Sequence, residues 1–372
     1  MDNRRKPPLY EKLSIIVMGL LSFFFILYIG KDILVPIIFS TIIAILLNPI
    51  VNLLCKKGIN KVVAILIVLV IAIIFISGLM YFIGSQATMF SDSMPQFKQK
   101  FSLIFNDIIN WVSQTFNVST TKIEAWMDKT KGESMNNSSL MIGQTLGTIS
   151  GVLILIFLLP VYIFMVLFYK PLLLEFIAQL FQRDKHPIVA EVLVETKTLI
   201  QSYLVGLLLE AALVATLNSI GLLIIGIDYA ILIGIIGALL NIIPYIGGLV
   251  AISIPVLLAI ATKNPIDALW VFIAYMIVQF IDNNFFVPKI VASKVKVNAL
   301  VSIIVVLIGG ALWGVPGMFL SIPLTAIVKV IFDRIEPLKP FGFLIGDNQP
   351  EIGKVIFKFK TPTKKSNPKI EK

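Results

Sequence analysis

The chain is predicted to be an all-α polytopic membrane protein with about six full spans, two broken helical hairpins and an external helical insert. Three observations carry that reading. Hydrophobic residues make up 58% of the 372 and charged residues 14%, with a mean hydropathy of +0.95, well outside the composition of soluble globular domains. Apolar runs long enough to cross a hydrocarbon core of about 30 Å recur near 13–30, 33–54, 62–83, 146–168, 203–227 and 268–287. Two further runs, 229–262 and 299–332, are each 34 residues long, and a straight helix of that length would rise roughly 50 Å.

Residues 1–84 form an N-terminal three-span region. A basic flank, Arg4, Arg5, Lys6 and Lys12, precedes the first run. Another apolar run follows at once and no small-residue cleavage site is evident, which indicates an uncleaved helix and not a signal peptide. Lys31 and Asp32 mark a tight turn, and Lys56, Lys57 and Lys61 close the second span. The positive-inside rule then places both termini in the cytoplasm.

Residues 85–145 are expected outside, as an amphipathic helical insert. Phe97, Phe101, Ile104, Ile108 and Val112 recur at spacings of three and four, and Ile123, Trp126 and Met127 begin a second stripe. Such a segment serves as a cap, an oligomer contact or a hairpin on the membrane surface. The fourth span and its linker, 146–202, are preceded and opened by Gly143, Gly147 and Gly151, a small-xxx-small pattern for close helix packing that makes a homo-oligomer plausible. The linker, 170–202, reads as a cytoplasmic amphipathic helix. Residues 335–372 form a cytoplasmic tail whose last stretch, 353–372, is rich in Lys with interspersed Pro and suits anionic headgroups.

The transport core is assigned to 203–334. Pro244 lacks a backbone donor and crowds the carbonyl four residues back, so the first long run breaks at Asn-Ile-Ile-Pro-Tyr-Ile-Gly-Gly, 241–248. The second breaks at Gly-Val-Pro-Gly, 314–317, and Pro244 and Gly314 are each the sixteenth residue of their runs. If both runs are re-entrant hairpins, most of the 31 Lys and Arg fall on the cytoplasmic side. Freed backbone groups in lipid cost several kcal/mol each unless protein or water satisfies them, so the breaks are expected to flank a solute site, as in secondary transporters. The alternative is a pair of unrelated kinked helices.

Two polar faces lie at membrane depth. Glu210 is about one-third along the 203–227 run and shares a helical face with Tyr203 and Asn218. A carboxyl there suits exchange of a proton for a cation; the plainer alternative is a protonated Glu bonded to a neighbouring helix. On 268–287, Tyr275, Gln279 and Asp282 recur at helical spacing, followed by Asn283 and Asn284, a face too polar for lipid unless Asp282 to Asn284 merely cap the helix. The residues expected to bind or pass the solute are Asn241, Pro244, Tyr245, Gly247 and Gly248 in the first break, Gly309, Gly310, Gly314, Pro316 and Gly317 in the second, and Gln279, Asp282 and Asn283 between them. Glu210 and Asp282 are the candidates for ion or proton coupling.

Enzyme chemistry finds little support. There is one His, His186, and one Cys, Cys55, which leaves no intramolecular disulfide, no Cys or His metal cluster and no Ser-His pair within the spans. Neither a His-Glu-x-x-His motif nor a phosphate-binding Gly-x-x-x-x-Gly-Lys-Ser/Thr loop is present, so neither catalytic residues nor a cofactor or metal is expected. The net charge of +10 comes from residues between apolar runs and in the tails, without the clustered surface that binds nucleic acid. The partners expected are the lipid bilayer, a small polar solute or monovalent cation, and further copies of the chain.

With Gly-Ile-Asp-Tyr-Ala at 226–230, Asn-Ile-Ile-Pro-Tyr-Ile-Gly at 241–247, Val-Pro-Lys-Ile at 287–290, and Ile-Gly-Gly-Ala-Leu-Trp-Gly-Val-Pro-Gly with Ile-Pro-Leu at 308–324, the chain resembles the AI-2E family, the autoinducer-2 exporters. The resemblance covers nearly the whole chain and is most specific over 200–332. It implies a multi-span transporter of the bacterial cell membrane, with some members exporting a furanone quorum signal and others described as sodium or lithium/proton antiporters. Two departures stand out: Asn298 and Ala299 replace the His-Pro frequent in the family, and Glu210 stands where an apolar residue is usual. The reading that follows is export of a small polar solute such as autoinducer-2; cation/proton antiport through Glu210 and Asp282, or a non-transporting membrane scaffold, are the alternatives.

Overall fold

A computed structural model describes residues 8–116, 138–243, 246–292 and 296–348. Pro244, Tyr245, Ile123, Trp126, Met127 and the basic tail 353–372, all singled out above, lie outside the described residues. The α-helices are α1 (Leu9–Ile29), α2 (Lys31–Lys56), α3 (Lys61–Phe116), α4 (Ser138–Gln179), α5 (His186–Ile225), α6 (Ala230–Asn241), α7 (Ile246–Thr262), α8 (Pro265–Ile281), α9 (Ala299–Arg334) and α10 (Lys339–Ile345). A wide-turn π-helical segment, Asp282–Ala292, continues α8.

Among the described residues, six stretches are long and apolar enough to cross a membrane: Lys31–Lys56, Lys61–Gln86, Phe157–Gln179, Arg183–Ile225, Pro265–Ile290 and Ala299–Arg334. The chain is therefore an all-α, multi-pass membrane protein. The first predicted span is helical but shorter, Leu13–Ile29, and nearly every side chain along it is exposed on this chain. α3 runs without a break from the third span into the first stripe of the insert. Gly143, Gly147 and Gly151 all fall on α4. The linker after the fourth span is the continuation of α4 and the start of α5, joined by a short turn at Arg183–Lys185.

Among the described residues, four packed groups of buried side chains organise the bundle. One joins α2, α3 and α4 around Ile65, Val68, Ile163 and Leu167. A second joins α2, α5 and α9 around Ile42, Ile200, Leu204, Leu320 and Ala326. The third joins the end of α5 to α6, α7 and α8 around Leu222, Ile233, Leu258 and Val271. A fourth joins α5, α6 and α8 around Val214, Ala238 and Val278, so α5 takes part in three of the groups and is the helix from which the polar site is hung.

The end of α5 shows how sequence sets the path. Gly226 adopts φ 77°, a conformation that glycine takes without steric penalty. Its N–H bonds the Leu223 carbonyl at 3.0 Å, while the Ile227 N–H bonds that of Leu222 at 3.0 Å. Ile227 and Leu222 are both buried in one group, which completes a Schellman cap with its apolar contact. α6 is thereby sent back along α5, so closely that a Cβ at Gly234 would collide with Ser219.

Candidate functional site

α6 has 12 residues, a rise of about 18 Å, and so reaches only partway along α5 before the chain turns at Ile242. α7 then returns beside it. A Cβ at Gly247 would strike the Leu240 carbonyl and lie 2.9 Å from the Asn241 Cα. The two arms thus meet backbone to backbone across the break, and the run 230–262 is a hairpin, not a kinked rod.

The second long run is also a hairpin, with its turn at Gly314 (φ 65°, ψ −144°), in the left-handed half of conformational space. Its arms are locked by glycine: a Cβ on Gly309 would collide with the Gly317 carbonyl, and one on Gly317 with that of Gly309. A Cβ on Gly310 would come 2.6 Å from the Met318 methyl group. The turn itself is exposed at Gly314, Val315 and Pro316, and Trp313 Nε1 donates to the Leu27 carbonyl of α1 at 2.9 Å.

A cavity of about 650 Å³ lies between α5, the tip of the first hairpin, α8 with its π-helical extension, and the open end of the second hairpin. Its polar lining is Tyr203, Glu210, Asn241, Gln279, Asp282, Asn283, Ser302 and Asp347. Among the described residues, no Lys or Arg lines it. Glu210 is 6% exposed and Asp282 1%, so both carboxyl groups are held away from bulk water and face a shared space. Three carboxyl groups, one hydroxyl, one phenol and three carboxamides make this a wall rich in hydrogen-bond acceptors.

Asn241 Nδ2 donates to Asp282 Oδ2 at 2.7 Å, tying the first hairpin's tip to the end of α8. The other carboxylate oxygen, Asp282 Oδ1, is buried with no hydrogen-bond partner among the described residues. Gln279 Nε2 donates to Asn283 Oδ1 at 3.4 Å. A Cβ on Gly248 would come 3.2 Å from Gln279 Oε1 and 3.4 Å from Asn241 Oδ1, so Gly248 keeps this corner open. Buried polar atoms ordinarily find partners, and an orphaned carboxylate oxygen on a cavity wall offers itself to a donor from a ligand.

The polar line continues away from the cavity. Asn218 and Tyr275, each 3% exposed, meet over Gly237, whose Cβ would lie 3.2 Å from the Tyr275 hydroxyl and 3.5 Å from Asn218 Nδ2. Asn218 Oδ1 and the Tyr275 hydroxyl also have no hydrogen-bond partner among the described residues.

Of the residues singled out from sequence, Asn241, Gly248, Glu210, Gln279, Asp282 and Asn283 come together here, and Gly247 sits behind them. Gly309, Gly310, Gly314, Pro316 and Gly317 lie outside the lining: the second hairpin contributes Ala299, Ser302 and Ile322 from its open end. Asp282 stands at the C-terminal end of α8 and Asn284 Nδ2 donates to the Phe280 carbonyl at 2.8 Å, so this stretch caps the helix in part, while the π-helical turns carry the chain on through it. Such wide turns inside helices recur at functional sites.

Two contributors were not foreseen. Asn298 caps α9, its Oδ1 accepting from the Val301 N–H at 2.9 Å, while its Nδ2 donates to the Leu344 and Gly346 carbonyls at 2.6 and 3.1 Å. Its own N–H donates to the Ile345 carbonyl at 3.0 Å. This clamp brings the segment after α10 to the cavity and places Asp347 in its wall. The departure from His-Pro at Asn298 was the only signal, and it gave no partner.

The chain is 26% identical over 316 residues to YueF of Bacillus subtilis (strain 168), covering 82% of this chain and 84% of YueF. It is 23% identical over 326 residues to TqsA of Escherichia coli (strain K12), which bears the name AI-2 transport protein, covering 87% of this chain and 92% of TqsA. The family model for AI-2E family transporters matches residues 13–336, from the first apolar helix through both hairpins. A match of that extent takes in the cavity wall from Tyr203 to Ile322, and the chain belongs to the AI-2E family of transporters.

Proposed function

We propose that the chain is a secondary transporter that exports a small, hydroxyl-rich polar solute, with an autoinducer-2-like furanone as the leading substrate. The observation that carries the reading is the 650 Å³ cavity at the tip of the first hairpin, acceptor-rich and free of basic side chains among the described residues. Its volume is in the range of small-molecule sites, far larger than a dehydrated monovalent cation needs. Its acids disfavour an anionic solute and favour one that donates hydrogen bonds. Asp282 Oδ1 and the Asn241 and Gln279 carboxamides supply the acceptors at the tip. The name of TqsA supports the furanone. The distribution of Lys between the loops supports cytoplasmic termini, and the exposed apolar surface of α1 suits a lipid or a further copy.

Two buried carboxyl groups on one cavity favour a second reading, exchange of a monovalent cation for protons through Glu210 and Asp282. Reconstituted vesicles separate the two. Solute flux indifferent to a pH gradient, and kept in Glu210→Gln, supports export of a neutral solute. Sodium- or lithium-driven proton movement that disappears in Glu210→Gln supports exchange. Vesicles that move neither would defeat both and leave a membrane scaffold.

A further inference from the structure

A second cavity, of about 560 Å³, opens between α2, the last turns of α4 and the first turns of α5. Its walls are largely aliphatic, including Ile45, Leu167, Leu174 and Leu193, and Lys170 and Lys197 are its cationic groups beside His186. Lys170 Nζ donates to Oδ1 of the buried Asn48 at 3.1 Å, which fixes the cation at the slot. The charges of Lys197 and Lys61 both bear on Lys170. Lys61 Nζ is anchored on the Phe168 carbonyl at 2.8 Å.

None of these three lysines pairs with a carboxylate among the described residues. The acids on the same stretch of α5 are engaged elsewhere: Glu191 and Glu195 both accept from Arg334, at 2.7 and 2.9 Å. Glu175 accepts from Gln179 at 3.4 Å. Lys170 and Lys197 therefore line an apolar slot, with Lys61 held nearby on the Phe168 carbonyl and no carboxylate paired to any of the three among the described residues, an arrangement that repels itself unless an anion joins it. Free phosphate would answer the charge and leave the slot unfilled. A neutral acyl chain would fill the slot and leave the charge. An anionic phospholipid does both, and basic pockets between membrane helices are suited to such headgroups.

We propose that this cavity binds one anionic glycerophospholipid, its phosphate among Lys61, Lys170 and Lys197 and an acyl chain in the slot between α2, α4 and α5. The site lies on the same helix as Glu210 but shares no lining residue with the solute cavity.

The test is native mass spectrometry of the purified full-length protein titrated with dioleoyl phosphatidylglycerol, dioleoyl phosphatidylcholine or inorganic phosphate. The wild type should retain phosphatidylglycerol at least tenfold better than phosphatidylcholine. Lys170→Gln combined with Lys197→Gln should weaken that retention about 25-fold, about fivefold per lysine, the factor corresponding to roughly 1 kcal/mol each. Leu174→Trp, which keeps every charge and narrows the slot, should weaken it too. Should the double variant not fold, the exposed Lys197→Gln alone carries the test with about a fivefold loss. Equal retention of the two lipids, unchanged phosphatidylglycerol binding in the lysine variants, displacement of the lipid by inorganic phosphate, or a dimer that excludes lipid from this groove would each overturn the proposal.

Discussion

The two hairpins share a length, a depth of break and a dependence on glycine, yet they do different things. In the first, 230–262, the residues at the break are polar on one side: Asn241 reaches Asp282, and Gly248 leaves room beside Gln279. In the second, the break at Gly314 is flanked by Trp313 and Val315; Gly309 and Gly317 bring its arms into backbone contact as Gly247 does in the first, but among the described residues no polar side chain beside the break reaches the cavity. Its contribution to the cavity comes from the opposite end, at Ser302 and Ile322. A broken apolar helix thus supplies the fold-back, while the side chains beside the break decide whether it lines the cavity or packs against its own second arm.

Substitutions that exchange these roles should separate the hairpins. The largest effect is expected from Gly248→Leu, which puts an apolar side chain where Gln279 and Asn241 face the cavity. Solute flux in vesicles should fall on the order of a hundredfold, equivalent to about 2.7 kcal/mol of transition-state stabilisation, with membrane insertion retained. Next comes Glu210→Gln, an isosteric change that removes one of the two buried ionisable groups; any flux component coupled to a pH gradient should drop at least about tenfold, roughly 1.4 kcal/mol.

Gly317→Ala should act on the other axis. Its Cβ meets the Gly309 carbonyl, so thermal unfolding in detergent should reveal a loss of about 1–3 kcal/mol, with flux per folded molecule within about twofold of wild type. The smallest effect should come from Gly310→Ala, whose neighbour is the flexible Met318 methyl group; a shift under about 1 kcal/mol in the same assay is expected. If Gly310→Ala blocked flux as Gly248→Leu should, the second hairpin would belong to the solute path and the contrast would fail.

Much of this was legible in the sequence because the signals are local. A run of 34 residues with Pro and Gly at its centre must fold back or be interrupted, and Tyr275, Gln279 and Asp282 announce one helical face by spacing alone. The glycines of 309–317 were legible as a break but not as dry packing, because a glycine that admits a solute and a glycine that admits another backbone look alike until the partner is known. The clamp of Asn298 on residues 344–346 spans more than forty residues and has no periodic signature, so Asp347 could not be placed in the wall. Lys170 and Lys197 read as linker charges; only the antiparallel course of α4 and α5 sets them beside one slot.

The central claim is that the first hairpin's tip faces an aqueous cavity shared with the open end of the second, while the second hairpin's interior is dry. Thiol labelling tests it most directly. In a Cys55→Ser background, Gly248→Cys and Ser302→Cys should each react with a small hydrophilic methanethiosulfonate and be protected by transported solute, whereas Val306→Cys, at a position 2% exposed, should stay unreactive. Labelling at position 306 with none at 248 would contradict the account.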